Sequence, residues 1–174
     1  MSNRDEPLDE AAETLCRKLG YTFADTGLLF DALTHTSFRN ERPDVAAADN
    51  ERLEFLGDAV VGLVVASLLY VRFPDSDEGE LTRRRADLVS ERGLAECAES
   101  IGMGEALRLG KGEEKSGGRQ KPRLLSSALE ACIGAVYLDG GAEAAFESAR
   151  RIFEPRIDTS APGQRDAKSR AQEW

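Results

Sequence analysis

Two carboxylates one helical turn apart carry the first chemical signal in this sequence. In residues 50–58 (NERLEFLGD), Glu54 and Asp58 are four residues apart, so on a helix they share a face about 6 Å apart along the axis. Glu51 lies on the same stripe, one turn before Glu54. Asp58 is also the only charge between Phe55 and Val71, in a stretch that reads as a core helix. A carboxylate taken out of water there is costly, and a like charge roughly 4–6 Å away adds several kcal/mol at an effective dielectric near 20. A proton, an arginine or a divalent cation must neutralise the pair. A second apolar helix repeats the anomaly: Glu130 is the only charge between Arg123 and Asp139, with Ser127 three residues before it on the same face. If the two helices pack face to face, Glu54, Asp58 and Glu130 converge beside Ser127. Such an oxygen-only set suits Mg²⁺ or Mn²⁺ rather than zinc or copper. Ion pairs with arginines such as Arg52 or Arg85 would satisfy the same carboxylates, and spacing alone does not choose between the two.

Helices must position these groups. Apolar residues at Leu8, Ala11, Ala12, Leu15, Cys16 and Leu19 recur at helical spacing, with Gly20 as a C-cap. Asp25 caps a second helix through Leu33, and residues 41–50 read as a polar loop. A long apolar helix over residues 50–71 is stopped by Phe73-Pro74. Asp77 and Ser90 start the next two helices, the second ending at Gly102. Residues 110–122, rich in glycine and charge, read as an exposed loop. A buried helix then covers 124–137 and breaks at Asp139-Gly140-Gly141, and a last one covers 142–153 before Pro155. No stretch alternates with a period of two, so the fold class is all-α.

The 174 residues suit one domain with a short appendage: residues 1–158 as the domain, and 159–174 as a linker leading into something further. The 41% hydrophobic content is that of a globular chain. The N-terminus has no basic region followed by an apolar run, and the apolar core of 59–71 is short of the roughly 20 residues a bilayer span needs. No membrane association is therefore expected. Cys16, Cys97 and Cys132 are odd in number and scattered, which predicts free thiols and a reducing cytoplasm. The single histidine, His35, reads as a hydrogen-bonded packing residue. The net charge of −9 argues, taken alone, against a polyanionic partner. It is unevenly spread, because residues 108–123 carry six basic side chains against two acidic ones.

The NERLEFLGD segment resembles the signature of the bacterial ribonuclease III endonuclease domain. Similar pieces follow in that family's order over residues 8–158: ALTHTSF at 32–38, DEGELT at 77–82, LGKGE at 109–113 with SGGR at 116–119, and EACIGAVYLDG at 130–140. The resemblance implies an all-helical homodimer that needs Mg²⁺, with Mn²⁺ as substitute, and no nucleotide cofactor. It implies an endoribonuclease that cuts double-stranded RNA, such as ribosomal RNA precursors, to 5′-phosphate and 3′-hydroxyl ends with a short 3′ overhang. By the same resemblance, Asp58 and Glu130 are the catalytic pair, and Glu54, Asp58, Ser127 and Glu130 occupy the metal positions. Glu51 and Glu78 would line a cleft near the dimer interface, and Phe55 would plug a socket on the partner. Lys111, Lys115, Arg119 and Lys121 would touch the RNA backbone. Residues 166–174 resemble the entry to a double-stranded-RNA-binding domain, of which the rest is missing from the chain. One position departs: the family has an aspartate where this chain has Ser127. A neutral hydroxyl removes one negative charge, which leaves open a second reading, a non-cleaving double-stranded-RNA-binding homodimer with a weakened metal site.

Overall fold

Four helix starts in this chain coincide with short side chains that accept hydrogen bonds from otherwise unpaired backbone N–H groups. In the computed structural model, which describes residues 8–46 and 48–159, Asp9 accepts from Ala12 N, Asp25 from Gly27 N, Asp77 from Glu80 N and Ser90 from Gly93 N. These residues open α1 (Glu10–Leu19), α2 (Thr26–Leu33), α5 (Glu78–Leu88) and α6 (Glu91–Ser100). Gly20 closes α1 in the left-handed conformation, as its position predicts. Between them lie α3 (Thr36–Glu41) and α4 (Glu51–Arg72), and after α6 come α7 (Met103–Ala106), α8 (Lys111–Lys115), a 3₁₀ turn at Gly118–Gln120 and α9 (Pro122–Ile157). Among the described residues the only bridge of extended backbone is an isolated one between Thr34 and Arg108, so the all-α reading holds.

Three local expectations change. The expected exposed loop 110–122 contains α8 and the 3₁₀ turn, because Gly110 and Lys111 are tied to α3: Gly110 N donates to Ser37 Oγ and Lys111 N to Glu41 Oε2. α3 itself is short and lacks an apolar period; it is capped by His35, whose Nδ1 accepts from Ser37 N. Pro155 does not end the last helix, which runs two residues further to Ile157, where only one ladder bond is lost. The expectations for residues 160–174 lie outside the described residues.

The core is built on α4 against α9, with α6 and α2 also packed along α9. α9 is two helical segments joined at Gly141, whose φ of 82° and ψ of −176° only glycine adopts readily. The break is held by Asp139: its Oδ2 accepts from Tyr21 Oη (2.8 Å) and Ala24 N (2.8 Å), and its Oδ1 from Asp25 N (2.9 Å). Burial pushes this carboxyl upward, but those three donors outweigh it and hold it below its ordinary value. Asp139→Ala is therefore expected to destabilise the fold by about 3 kcal/mol at neutral pH, read as a lower melting temperature. Because the folded value is depressed, this stabilisation is present above the unfolded carboxyl range and is lost as pH falls through the folded value. The gap between wild type and variant should narrow as pH falls through the folded value.

α4 is not the fully buried helix its composition suggests. Its 22 residues are long and apolar enough to cross a membrane by length and composition, yet it lies along α9 with Leu53, Gly57, Val61, Val64, Val65 and Leu69 buried. The opposite face is open: Phe55 is 83% exposed, and Leu63 and Tyr70, eight and fifteen residues on, are 67% and 74% exposed. The three fall on one side of the helix. A continuous apolar run hides which face the core covers, since no polar residue marks the other.

Candidate functional site

The close approach of α4 to α9 sets the geometry of the carboxylates. A Cβ added at Gly57 would overlap the Glu130 carbonyl, and one added at Gly134 would overlap the Leu53 carbonyl and lie 3.1 Å from Gly57 N. With backbone against backbone at Gly57 and Gly134, the side chains on either side of the crossing meet. Ser127 Oγ donates to Glu54 Oε1 at 2.9 Å, and Glu130 shares a hydrogen bond with Asp58. The crossing thus puts Ser127 against Glu54, and the charges of Asp58 and Glu54 near Glu130.

Burial is distributed differently from the expectation. Asp58, read from sequence as the desolvated charge, is exposed, because α9 covers only the other face of α4. The buried acid is Glu130, at 9% exposure, in a helix whose neighbours from Ala128 to Val136 are all buried. Burial above all, then the charges of Asp58 and Glu54 and the hydrogen bond to Asp58, push the Glu130 carboxyl up to about 8. A value this high favours the protonated form of Glu130 at neutral pH when no cation is bound. Among the described residues no arginine pairs with Glu54, Asp58 or Glu130, so the ion-pair alternative through Arg52 or Arg85 falls away.

Chemically, the set fits a hard divalent cation: its donors are all oxygens, and the buried acid holds a proton that a cation would replace. Among the described residues no three acidic, histidine or cysteine side chains already stand close enough to hold an ion, so the carboxylates must draw together to share one. Glu51 and Glu78 are exposed and bonded elsewhere: Glu51 Oε1 accepts from Thr36 Oγ1 (3.3 Å), and Glu78 Oε1 from Thr82 Oγ1 (3.0 Å) of its own helix. Neither joins the central three by a hydrogen bond or ion pair among the described residues.

One positioning residue lay hidden in the polar loop before α4. Asp49, at 7% exposure, accepts from Thr36 Oγ1 (2.8 Å) and from the Glu51 backbone N–H (3.3 Å), and pairs with Arg39 (2.8 Å). It ties the start of the signature helix to α3. Composition alone masked it, because 41–50 is polar throughout and nothing marks which carboxylate turns inward.

The four candidate RNA contacts of the basic segment divide into two pairs. Arg119 grips Glu114 with two hydrogen bonds (2.6 and 2.9 Å), and its Nη1 donates to the carbonyls of Gly104, Glu105 and Leu107, closing α7. Lys121 Nζ donates to Glu113 Oε1 (2.6 Å) and Ser116 Oγ (2.9 Å). In this structure these two basic side chains build the segment. Lys111 and Lys115 instead stand exposed one turn apart on α8. The charge count could not separate the pairs, since the sequence does not say which cations the two glutamates take.

Comparison with known proteins identifies relatives of the whole fold. A family model described as ribonuclease-III-like matches residues 25–156. Ribonuclease 3 of Syntrophotalea carbinolica is 48% identical over 170 residues, covering 94% of this chain and 72% of that protein. Ribonuclease 3 of Dechloromonas aromatica is 47% identical over 165 residues, covering 94% and 71%. The nuclease domain of ribonuclease III from Campylobacter jejuni superposes with a TM-score of 0.75 at 42% identity, over 89% of this chain and 99% of that one. Dicer from Pichia stipitis, at 23% identity and a TM-score of 0.58 over 79% of this chain and 58% of that one, shares the fold. Through its helical architecture and its matched length, the chain belongs to the ribonuclease III family of endoribonucleases.

Proposed function

We propose that this chain cleaves double-stranded RNA as a cytoplasmic homodimer that uses Mg²⁺, or Mn²⁺ in its place, with rRNA precursors among its substrates. The observation that carries the reading is the buried Glu130, set against Asp58 and Glu54 with no ion pair to a cationic side chain among the described residues. Asp58, Glu54 and Glu130 would hold the ion, which when bound would activate water for in-line attack and stabilise the leaving oxygen. Attack by water at phosphorus with departure of the 3′ oxygen yields the 5′-phosphate and 3′-hydroxyl ends.

The remaining work falls to the chain's own residues. Lys111 and Lys115, raised on α8, present two charges to the phosphate backbone, while Arg119 and Lys121 keep that segment in shape. The open apolar face of α4, with Phe55 at its start, suits a second copy of the chain, which would bring two carboxylate clusters to one duplex. A relative supports this: the nuclease domain of the Campylobacter jejuni enzyme has a region described as involved in dimer formation. Two basic segments flanking paired acidic clusters would also reconcile a net charge of −9 with a polyanionic substrate.

Long double-stranded RNA and a single-stranded control, each incubated with the protein in Mg²⁺ or in chelator, test the reading. Shortening of the duplex alone, only with Mg²⁺, and products that a phosphatase makes labelable at the 5′ end are expected. RNA that is retarded on a gel but left intact would instead establish the non-cleaving binder. The division of basic residues gives a second check. Lys111→Ala/Lys115→Ala should reduce the slope of log affinity against log salt by about 2, with an unchanged melting temperature. Arg119→Ala should lower the melting temperature, because it removes the donor that Glu114 and the carbonyls of Gly104, Glu105 and Leu107 share.

A further inference from the structure

Ser126 and Ser127 are adjacent on α9 but use their hydroxyls in opposite ways. Ser126 Oγ donates back to the Arg123 carbonyl of its own helix at 2.9 Å, the usual arrangement for a helical serine. Ser127 Oγ donates across the interface to Glu54 Oε1 at 2.9 Å. A serine has one proton to give, and here it goes to a carboxylate on the facing helix. The donor is fixed in place, because α4 and α9 touch backbone to backbone one turn away, at Gly57 and the Glu130 carbonyl. The bond engages Oε1 and leaves Oε2 of Glu54 for another partner. A carboxylate at position 127 would face Glu54 with like charge and would need a proton or cation between them. The hydroxyl needs neither.

We propose that Ser127 is a positioning residue rather than an ion ligand: by donating to Oε1 it holds Glu54 turned toward Asp58 and Glu130 before any cation arrives. This rests on the reading of the cluster as a divalent-cation site. Its consequence is a Glu54 carboxylate oriented in advance, in a site with three carboxyl side chains rather than four.

The test is Mn²⁺ binding to the full chain, followed as free Mn²⁺ by electron paramagnetic resonance, with melting temperatures measured alongside. Ser127→Ala should weaken Mn²⁺ binding about tenfold at a near-wild-type melting temperature, the size of effect that follows loss of a group orienting a metal ligand. Ser127→Thr, which keeps the hydroxyl, should return the affinity to within about twofold of wild type. Wild-type affinity in the alanine variant would overturn the inference while leaving the cation site intact, as would a threonine variant as weak as alanine. Absence of Mn²⁺ binding by the wild-type chain would overturn the cation-site reading itself.

Discussion

Gly57→Ala is expected to lower the stability of the fold by about 4 kcal/mol, above the usual 1–3 kcal/mol of core overpacking, and to abolish most of the activity. The reason is what the added methyl meets. At Gly57 the obstacle is the carbonyl oxygen and carbon of Glu130, backbone atoms in the middle of the longest helix, rather than a side chain that can rotate away. α4 and α9 must therefore separate, and their separation opens the contacts of Leu53, Val61 and Val64 with the buried residues of α9. For a chain of this size the loss corresponds to a melting temperature lower by roughly 8–16 °C. The catalytic effect should exceed what stability explains. Glu54 and Asp58 ride on one helix, Ser127 and Glu130 on the other, and a displacement of about 1 Å between reacting groups can cost on the order of 10²-fold in rate. Gly134→Ala, which meets the Leu53 carbonyl from the other side, should behave alike. Gly112→Ala, whose Cβ meets nothing, should leave the melting temperature unchanged. A Gly57→Ala protein that melts with wild type and cleaves at the wild-type rate would show that the helices are not in backbone contact.

That contact marks where sequence reading ends. Helix starts were legible because Asp9, Asp25, Asp77 and Ser90 act on backbone N–H groups two or three residues away, and Gly141 breaks α9 through its own φ. The pairing of Glu54 with Asp58 was legible for the same reason: a four-residue spacing is a local fact. What depends on a second element was not. Nothing in residues 59–71 says that α9 covers Val61 and Val65 and leaves Leu63 and Tyr70 open, so Asp58 was read as buried when it is exposed. The charge of residues 108–123 is correct as a sum, yet Glu113 and Glu114 take Lys121 and Arg119 rather than Lys111 and Lys115, a choice made by the turn at Gly117 and Gly118. Glu130 stood out as a lone charge in an apolar helix. That its balance is a proton follows only from the walls around it.

Glu130→Gln should therefore separate activity from stability. Cleavage should fall by at least about 10³-fold, the several kcal/mol of charge stabilisation that a metal centre supplies, at 1.4 kcal/mol per tenfold. Stability of the metal-free protein should move the other way, and only at high pH. The carboxyl, held at about 8 in the fold chiefly by burial, ionises near the ordinary value of about 4.3 once unfolded. Between those values the unfolded chain binds fewer protons, so wild-type stability falls as pH rises, and below about 4.3 the penalty is absent. Glutamine keeps a donor for Asp58 and carries no charge at any pH. At about pH 3.5 the two proteins should melt within about a degree of each other, and near pH 8.5 the variant should be more stable by about 5 kcal/mol, or roughly 10–20 °C. Saturating Mg²⁺ should reverse the order at that pH, because only the wild type offers the third carboxylate and ion binding stabilises the folded state alone. A difference between wild type and variant that stays constant from pH 5 to 8.5 would mean that Glu130 is already ionised in the metal-free fold, with its charge balanced by something other than a proton.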